Sequence, residues 1–263
     1  MDQSGIDEAV QRFYRDADEG ARLTSLSAAG AVEFERTQSL LRARIAPSSR
    51  IIDIGGATGI HATWLAADGH EVVLIDPVPT QVAQASAIGS FAAETGDARD
   101  LRFDACSFDV ALLFGPLYHL RSRSDRLRAL REAVRVVRPG GLVFAAGISR
   151  FSALADGMLR PVPEAADERI LGLINTGDWD ASGPFPIAHL HTTAELESEL
   201  ADAGLSSVES VCVEGPLGLA LEHLAPGDGE LHRAALLAAE RLGGAPCVKE
   251  TGPHLLAWGG VPQ

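Results

Sequence analysis

The sequence predicts an α/β fold with a doubly wound, mostly parallel sheet, and three observations predict it. Short apolar runs alternate with helical segments between residues 50 and 148. The first run ends in an acid and a glycine-rich turn, and the second closes on another acid. Parallel strands covered on both faces read as continuous Val/Ile/Leu runs, and their alternation with helices marks βαβ units. In such a sheet the ligand crevice lies outside the C-terminal ends of the strands.

Taken in order, Ile6, Val10, Phe13 and Tyr14 recur at helical spacing, as do Phe34, Leu40, Leu41 and Ile45. Pro47-Ser48-Ser49 then breaks the pattern. The strands are expected over 50–54, 71–75, 90–95, 108–114 and 141–148, with helices over 60–68, 79–88 and 123–137. Beyond Ile148 the period loosens. Residues 149–191 hold Met158-Leu159-Arg160-Pro161, Trp179 and Gly183-Pro184, which predicts an irregular cap with a short helix. A helix over 193–203 with Gly204 as its C′ residue follows, then a strand over 205–213. A helix over 230–242 and a closing strand over 254–258 complete the chain. The organisation is one domain overall: an N-terminal helical lid at 1–46, a ligand-binding core at 47–148 and a cap insertion at 149–191. The C-terminal part of the core, 192–263, carries a second helical insertion over 214–251.

The formal net charge of −14 excludes a nucleic-acid binder, which needs Lys and Arg to displace counterions from phosphates. The basic stretch from Arg121 to Arg138 is interrupted by acids at helical spacing and reads as a solvated helix face. Cys106, Cys212 and Cys247 lie far apart without a CxxC, which argues against a zinc knuckle or disulfide framework. No basic leader and no run of about 18 apolar residues occurs, so neither export nor a membrane span is expected, and the cytoplasm is.

The strongest local signal is Ile51-Ile52-Asp53-Ile54-Gly55-Gly56-Ala57-Thr58-Gly59. Glycines let the backbone approach a ligand and adopt positive φ, and the helix beyond offers free N–H groups. The dinucleotide fingerprint G-x-G-x-x-G is absent, and Asp53 stands where a pyrophosphate would be repelled but an ammonium welcomed. Asp76, closing Val72-Val73-Leu74-Ile75, can accept both ribose hydroxyls of a nucleoside. In Thr95-Gly96-Asp97-Ala98, Asp97 either accepts from an adenine amine or caps a loop. The run 108–114 ends at Gly115-Pro116-Leu117-Tyr118-His119-Leu120, which presents Tyr118 and His119 over the sheet edge. Val137-Arg138-Pro139-Gly140-Gly141 is a helix stop before a strand.

These five blocks, in this order and spacing, resemble the class I S-adenosylmethionine (SAM)-dependent methyltransferases, within them the bacterial small-molecule group with a G-P-L-Y-H-L fourth motif. The resemblance covers 50–148 strongly, and 10–45 and 185–260 more weakly. It implies a Rossmann-like sheet of seven strands, one of them antiparallel, and SAM as cosubstrate with S-adenosylhomocysteine as product. It places Asp53 and the Gly55, Gly56 and Gly59 turn at the methionine end, Asp76 and Pro77 at the ribose, and Asp97 and Ala98 beside the adenine. Phe114 and Gly115 would lie along the methionine, with Tyr14, Arg22 and Arg36 in a segment folding over SAM. Ala57 stands where such proteins usually have glycine. If that position needs positive φ, alanine adds roughly 1 kcal/mol of strain. Segments at Ala188-His189-Leu190-His191, Val213-Glu214-Gly215-Pro216 and His254-Leu255-Leu256-Ala257 match regions that wall an acceptor pocket.

Methyl transfer from a sulfonium is an in-line displacement with a neutral leaving group, so alignment and exclusion of water dominate. A general base is needed only where the acceptor must lose a proton, and His119 is the first candidate. Tyr118, Trp179, His189, His191 and Glu214 are candidate substrate contacts, against the alternative that each merely packs or hydrogen-bonds. His189 and His191 share one strand face, but no third ligand is evident and no metal is expected. The expected activity is methylation of a small-molecule acceptor at O or N by a monomer or homodimer. A SAM-binding regulatory or scaffold protein without turnover, and an NAD-dependent oxidoreductase, remain alternatives.

Overall fold

A computed structural model describes residues 3–15, 21–151, 166–179 and 186–263. The apolar runs become β1 (Arg50–Ile54), β2 (Glu71–Asp76), β3 (Ala92–Thr95), β4 (Phe108–Leu113) and β5 (Val137–Ile148). β6 (Asp178–Trp179) and β7 (Ala188–His189) form a separate two-stranded ribbon. β8 (Ser206–Cys212) and β9 (His254–Gly260) complete a seven-stranded sheet of order β3-β2-β1-β4-β5-β9-β8. The first five strands pair in parallel, whereas β9 runs antiparallel to β5 and β8. The chain steps outward from β1 to β3 and then returns to β4 on the other side, so the crevice of a doubly wound sheet opens between β1 and β4. This is the Rossmann-like sheet expected.

The helices are α1 (Gln3–Tyr14), α2 (Ala28–Arg42), α3 (Ile60–Ala67), α4 (Pro79–Ile88), α5 (Pro116–His119), α6 (Arg123–Val136), α7 (Ala166–Thr176), α8 (Thr193–Asp202), α9 (Gly218–Leu221) and α10 (Gly229–Leu242). A π turn, Arg22–Leu26, precedes α2. Strand periodicity splits the core in two. Ile52, Ile54, Val73 and Ile75 face Ala129, Leu130 and Ala133 of α6 and Leu196 and Leu200 of α8. Ile51, Val72, Leu74, Val110 and Leu112 face Leu40 and Leu41 of α2, Ala62 and Leu65 of α3 and Ala85 of α4. Burying each of the Val, Leu and Ile side chains contributes about 1.5–3 kcal/mol. Asp53, one step from Ile52 along β1, falls on the parity of Ile51.

Several expected ends shift. β3 begins at Ala92, and β5 begins at Val137 because Val137 pairs with Phe108 and a register shift before Val110 absorbs the Pro139-Gly140 turn. Within the cap the described residues form α7 and the β6–β7 ribbon, while Met158-Leu159-Arg160-Pro161 and Gly183-Pro184 lie outside the described residues. The basic stretch needs a correction. Arg126 is 2% exposed, because it shares the α6 stripe of Ala129, Leu130 and Ala133 and meets Glu199 of α8. Among the described residues no helix is long and apolar enough to cross a membrane.

Candidate functional site

A cavity of about 340 Å³ opens over the C-terminal edge of the sheet, roofed by α1, the π turn and the middle of α2. Asp53, Gly55, Gly56, Ala57, Asp76, Pro77, Asp97, Ala98, Phe114, Gly115, Tyr118, His119 and Tyr14 all line it. These residues, all singled out in the sequence, thus share one cavity.

Asp53 is fully buried, and neither carboxylate oxygen has a hydrogen-bond partner among the described residues. Burial, followed by the neighbouring charge of Asp76, pushes its pKa up to about 7. A buried acceptor pair with no internal donor costs several kcal/mol unless a ligand supplies one. Gly56 keeps the turn tight against this acid, since a Cβ there would lie 2.6 Å from Asp53 Oδ2. Gly55 adopts φ +78°, and a Cβ would meet the Pro116 ring at 2.7 Å. Gly59 does not line the cavity; it starts α3 at φ +86°, and a side chain there would strike Phe91. Asp76 accepts the Ala57 N–H at 2.9 Å and the Val78 N–H at 2.8 Å. Burial still raises its pKa to about 6 against those two bonds. Each oxygen keeps a second lone-pair direction for a ligand hydroxyl.

Ala57 does sit in the left-handed region, at φ +48°. Ala57→Gly is therefore expected to raise stability by up to about 1 kcal/mol, read as a higher denaturant midpoint at constant slope. An unchanged or lowered midpoint would show the turn unstrained.

Asp97 is already engaged: Arg99 donates to it from the backbone at 2.8 Å and from its guanidinium at 2.6 Å. Arg99 also reaches Asp7 of α1 at 2.7 Å, tying the lid helix to the loop after β3. Gln3 donates to the His119 carbonyl at 3.0 Å, and Gln81 donates to the Tyr14 carbonyl.

The His119 ring has Nε2 at 3.0 Å from the Tyr14 hydroxyl and lies edge-on to Tyr118. Burial depresses its pKa to about 3, against a contact with the Ile187 carbonyl. The imidazole is neutral and a poor proton acceptor, so its environment favours hydrogen bonding over the base role expected of it. Tyr118 donates to the Phe114 carbonyl at 3.1 Å.

A second polar group lies at the β5–β9 side of the sheet edge, where His254 pairs in register with Ile148. Arg22, Glu33, His61 and His254 line the cavity there. Arg22 grips Glu33 through two nitrogens at 2.7 and 3.2 Å. His254 Nδ1 contacts Glu214 Oε1 and lies 3.4 Å from Glu33 Oε2, and its backbone N–H donates to Glu214 Oε2 at 3.2 Å. Burial alone would lower the His254 pKa, but Glu33 and Glu214 overcome it and lift it to about 9. Burial would raise Glu33, yet Arg22, His254 and His61 bring it down to about 2. His61, buried beside Phe114 and Phe34, falls to about 4. Donor atoms of Glu33, Glu214 and His254 lie within 4.8 Å of one another, as metal ligands do, but Arg22 and the Glu214–His254 contact already use them.

The remaining expected contacts fall elsewhere. Glu214 is buried behind His254 and is no wall residue. His189 and His191 are 3% and 0% exposed, stacked edge-on with centroids 4.7 Å apart. The strand face they share packs against α8, where His189 lies 3.5 Å from Glu195 and His191 lies 3.4 Å from Glu199, away from the cavity. Trp179 packs with Leu173, Ala188 and Leu190. Arg36 is half-buried near Glu240, outside the cavity lining. Glu33 and His61 went unnoticed in the sequence. His61 had a signal, its place in the first turn of the helix after the glycine turn; Glu33 had none.

Residues 52–145 match the family model of a methyltransferase domain. The chain is 32% identical over 176 residues to a ubiquinone biosynthesis O-methyltransferase of Methylobacterium nodulans, covering 64% of each protein. It is 35% identical over 120 residues to a ubiquinone/menaquinone biosynthesis C-methyltransferase of Acidiphilium cryptum, covering 41% of this chain and 46% of that relative. The chain thus spans less than two thirds of the length of either relative. A solved SAM-dependent methyltransferase from Methanosarcina mazei superposes with TM-score 0.60 at 18% identity, covering 85% of this chain and 98% of that one, a likeness of fold.

Proposed function

We propose that the protein is a SAM-dependent methyltransferase acting on the hydroxyl oxygen of a small molecule. The observation that carries the reading is Asp53: a buried carboxylate without an internal donor, set beside a tight glycine turn at the crevice between β1 and β4. An ammonium satisfies both its oxygens, whereas a pyrophosphate would meet Asp53 and Asp76 as like charges. Asp76, with lone pairs to spare, takes the ribose, and Ala98 and Phe114 contribute apolar wall. When bound, SAM supplies an electrophilic methyl group on a sulfonium. The chain's own part is to hold both reactants in line and to keep water out under α1, which Asp7, Gln3 and Tyr14 fasten down. His119 serves here as a brace for Tyr14. The likeness to a quinone-pathway O-methyltransferase supports an oxygen acceptor, and the dispersed free cysteines support a reducing, cytoplasmic setting.

Calorimetry with SAM, S-adenosylhomocysteine and NAD tests the reading. SAM and its product are expected to bind and NAD to give no heat. Asp76→Ala is expected to weaken SAM tenfold or more, as loss of a charge-assisted contact of about 1.5–3 kcal/mol requires. Binding of NAD in place of SAM would overturn the reading, and an unaltered affinity in Asp76→Ala would move the ribose elsewhere.

A further inference from the structure

We infer that Glu214 and His254 form an oxyanion-holding pair for an acceptor with an acidic hydroxyl, a phenol or enol, which binds as its oxyanion against His254 Nε2. The inference rests on the methyltransferase reading and specifies the acceptor half of that site. His254 lines the cavity with its side chain 22% exposed. Its Nδ1 is held by Glu214, which is itself fully buried and fixes the backbone N–H of the same residue. Glu33 flanks Nδ1 from α2. Nε2 makes no hydrogen bond among the described residues, so it is the ring's one open polar atom. A buried carboxylate against one ring nitrogen favours the doubly protonated ring and leaves Nε2–H as its open charged donor.

The charged groups around the ring are Arg22 of the π turn, Glu33 of α2, Glu214 after β8 and Glu222 after α9, with neutral His61 on α3 beyond Glu33. The acids outweigh Arg22. A phenol ionises near pH 10 and an ordinary imidazole near 6.5, a mismatch of roughly three powers of ten. Lifted to about 9, His254 closes most of that gap and is an imidazolium near neutral pH, a cation for the oxyanion to pair with, whereas His119, at about 3, is neutral there. Near neutral pH Nε2 already carries its proton, so the acceptor O–H bond breaks with its proton released to water and the oxyanion pairs with the Nε2–H. The phenolate oxygen then bonds to the methyl carbon as the C–S bond breaks, its electron pair staying on sulfur. The products are a methyl ether and neutral S-adenosylhomocysteine, with the acceptor's proton in water and His254 still an imidazolium.

The test uses 4-nitrophenol, whose neutral and ionised forms differ in colour, titrated into the S-adenosylhomocysteine-loaded protein below the probe's own ionisation range. The bound probe is expected to be at least tenfold more ionised than the free probe. That excess should vanish in His254→Gln and shrink in Glu214→Gln, a positioning residue, with probe still bound. Capture of the ionised form should fade as pH rises through about 9 and the imidazolium loses its proton. Bound probe that stays neutral in the wild-type protein, equal ionisation in His254→Gln, or no binding at millimolar probe would each overturn the inference. Calorimetry of SAM on the same wild-type sample separates this from failure of the underlying reading, which loss of SAM binding alone would sink.

Discussion

Asp53→Asn is expected to weaken SAM binding about 100-fold or more, because two charge-assisted hydrogen bonds of about 1.5–3 kcal/mol each disappear while the shape of the site is kept. Nothing among the described residues competes for those oxygens. The ligand therefore receives the full strength of a carboxylate that water cannot reach. Calorimetry of the variant beside the wild-type protein measures the loss. Equal affinities would mean that the ammonium lies elsewhere and that the orphaned acid has another purpose.

The same substitution should act in the opposite sense on the ligand-free protein. An ordinary aspartate ionises near 3.8, whereas Asp53 holds its proton to about 7 when folded. Between those values the folded state binds a proton that the unfolded chain has lost, so stability falls as pH rises from about 4 to about 7 and is level above. The penalty is at most about 4 kcal/mol, three units at 1.36 kcal/mol each. Asp76, raised to about 6, contributes a slope of the same sign. Denaturant melts at pH 5 and pH 8 should show the wild-type protein losing more stability than Asp53→Asn, with added SAM removing most of the difference. For the same reason SAM affinity should climb with pH through this window, and more steeply in the wild-type protein than in Asp53→Asn, where Asp76 alone still titrates.

The Asp53–Asp76 end of the cavity was legible because its determinants are local. One strand, one turn and one helix start hold Asp53, Gly55, Gly56 and Ala57, and the acid closing β2 lies in parallel register beside them, with Asp53 opposite Leu74. The His254 end was legible only in part: the Glu214 and His254 segments stood out, but Glu33 and His61 did not, because the group is assembled from residues far apart in sequence. Glu33, His61, Glu214 and His254 come from α2, α3, the loop after β8 and the start of β9, and only the fold brings them to one edge. The role of His119 is hard to read for a related reason. Its motif puts it at the right place, but the sequence carries no measure of the burial that leaves its imidazole neutral. His189 and His191 share a face as period 2 requires, yet which face meets the cavity depends on where α8 packs.

That packing supports the largest stability effect expected away from the cavity. Glu199→Gln should destabilise the fold by about 3–5 kcal/mol, because it leaves the Arg126 guanidinium buried without its counter-charge. Arg126 donates from Nε to both Glu199 oxygens at 3.0 Å and from Nη2 at 2.7 Å. Its Nη1 donates to the carbonyls of Leu120 and Arg121 at 3.0 and 2.7 Å. The pair thus joins α8 to α6 and anchors the turn that follows His119. Burial would raise the Glu199 carboxyl, but His191 and Arg126 draw it down to about 2. Its contribution is present above the ordinary carboxylate range and is lost as pH falls toward 2. Replacing both partners, as Arg126→Met with Glu199→Leu, removes the charge and its counter-charge together and is expected to recover most of the loss. A single-variant loss below about 1 kcal/mol in denaturant melts would place the pair in water, as a surface bridge. Recovery in the double variant would instead identify the cost as an unpaired charge, with the attraction between the two side chains contributing little net stability.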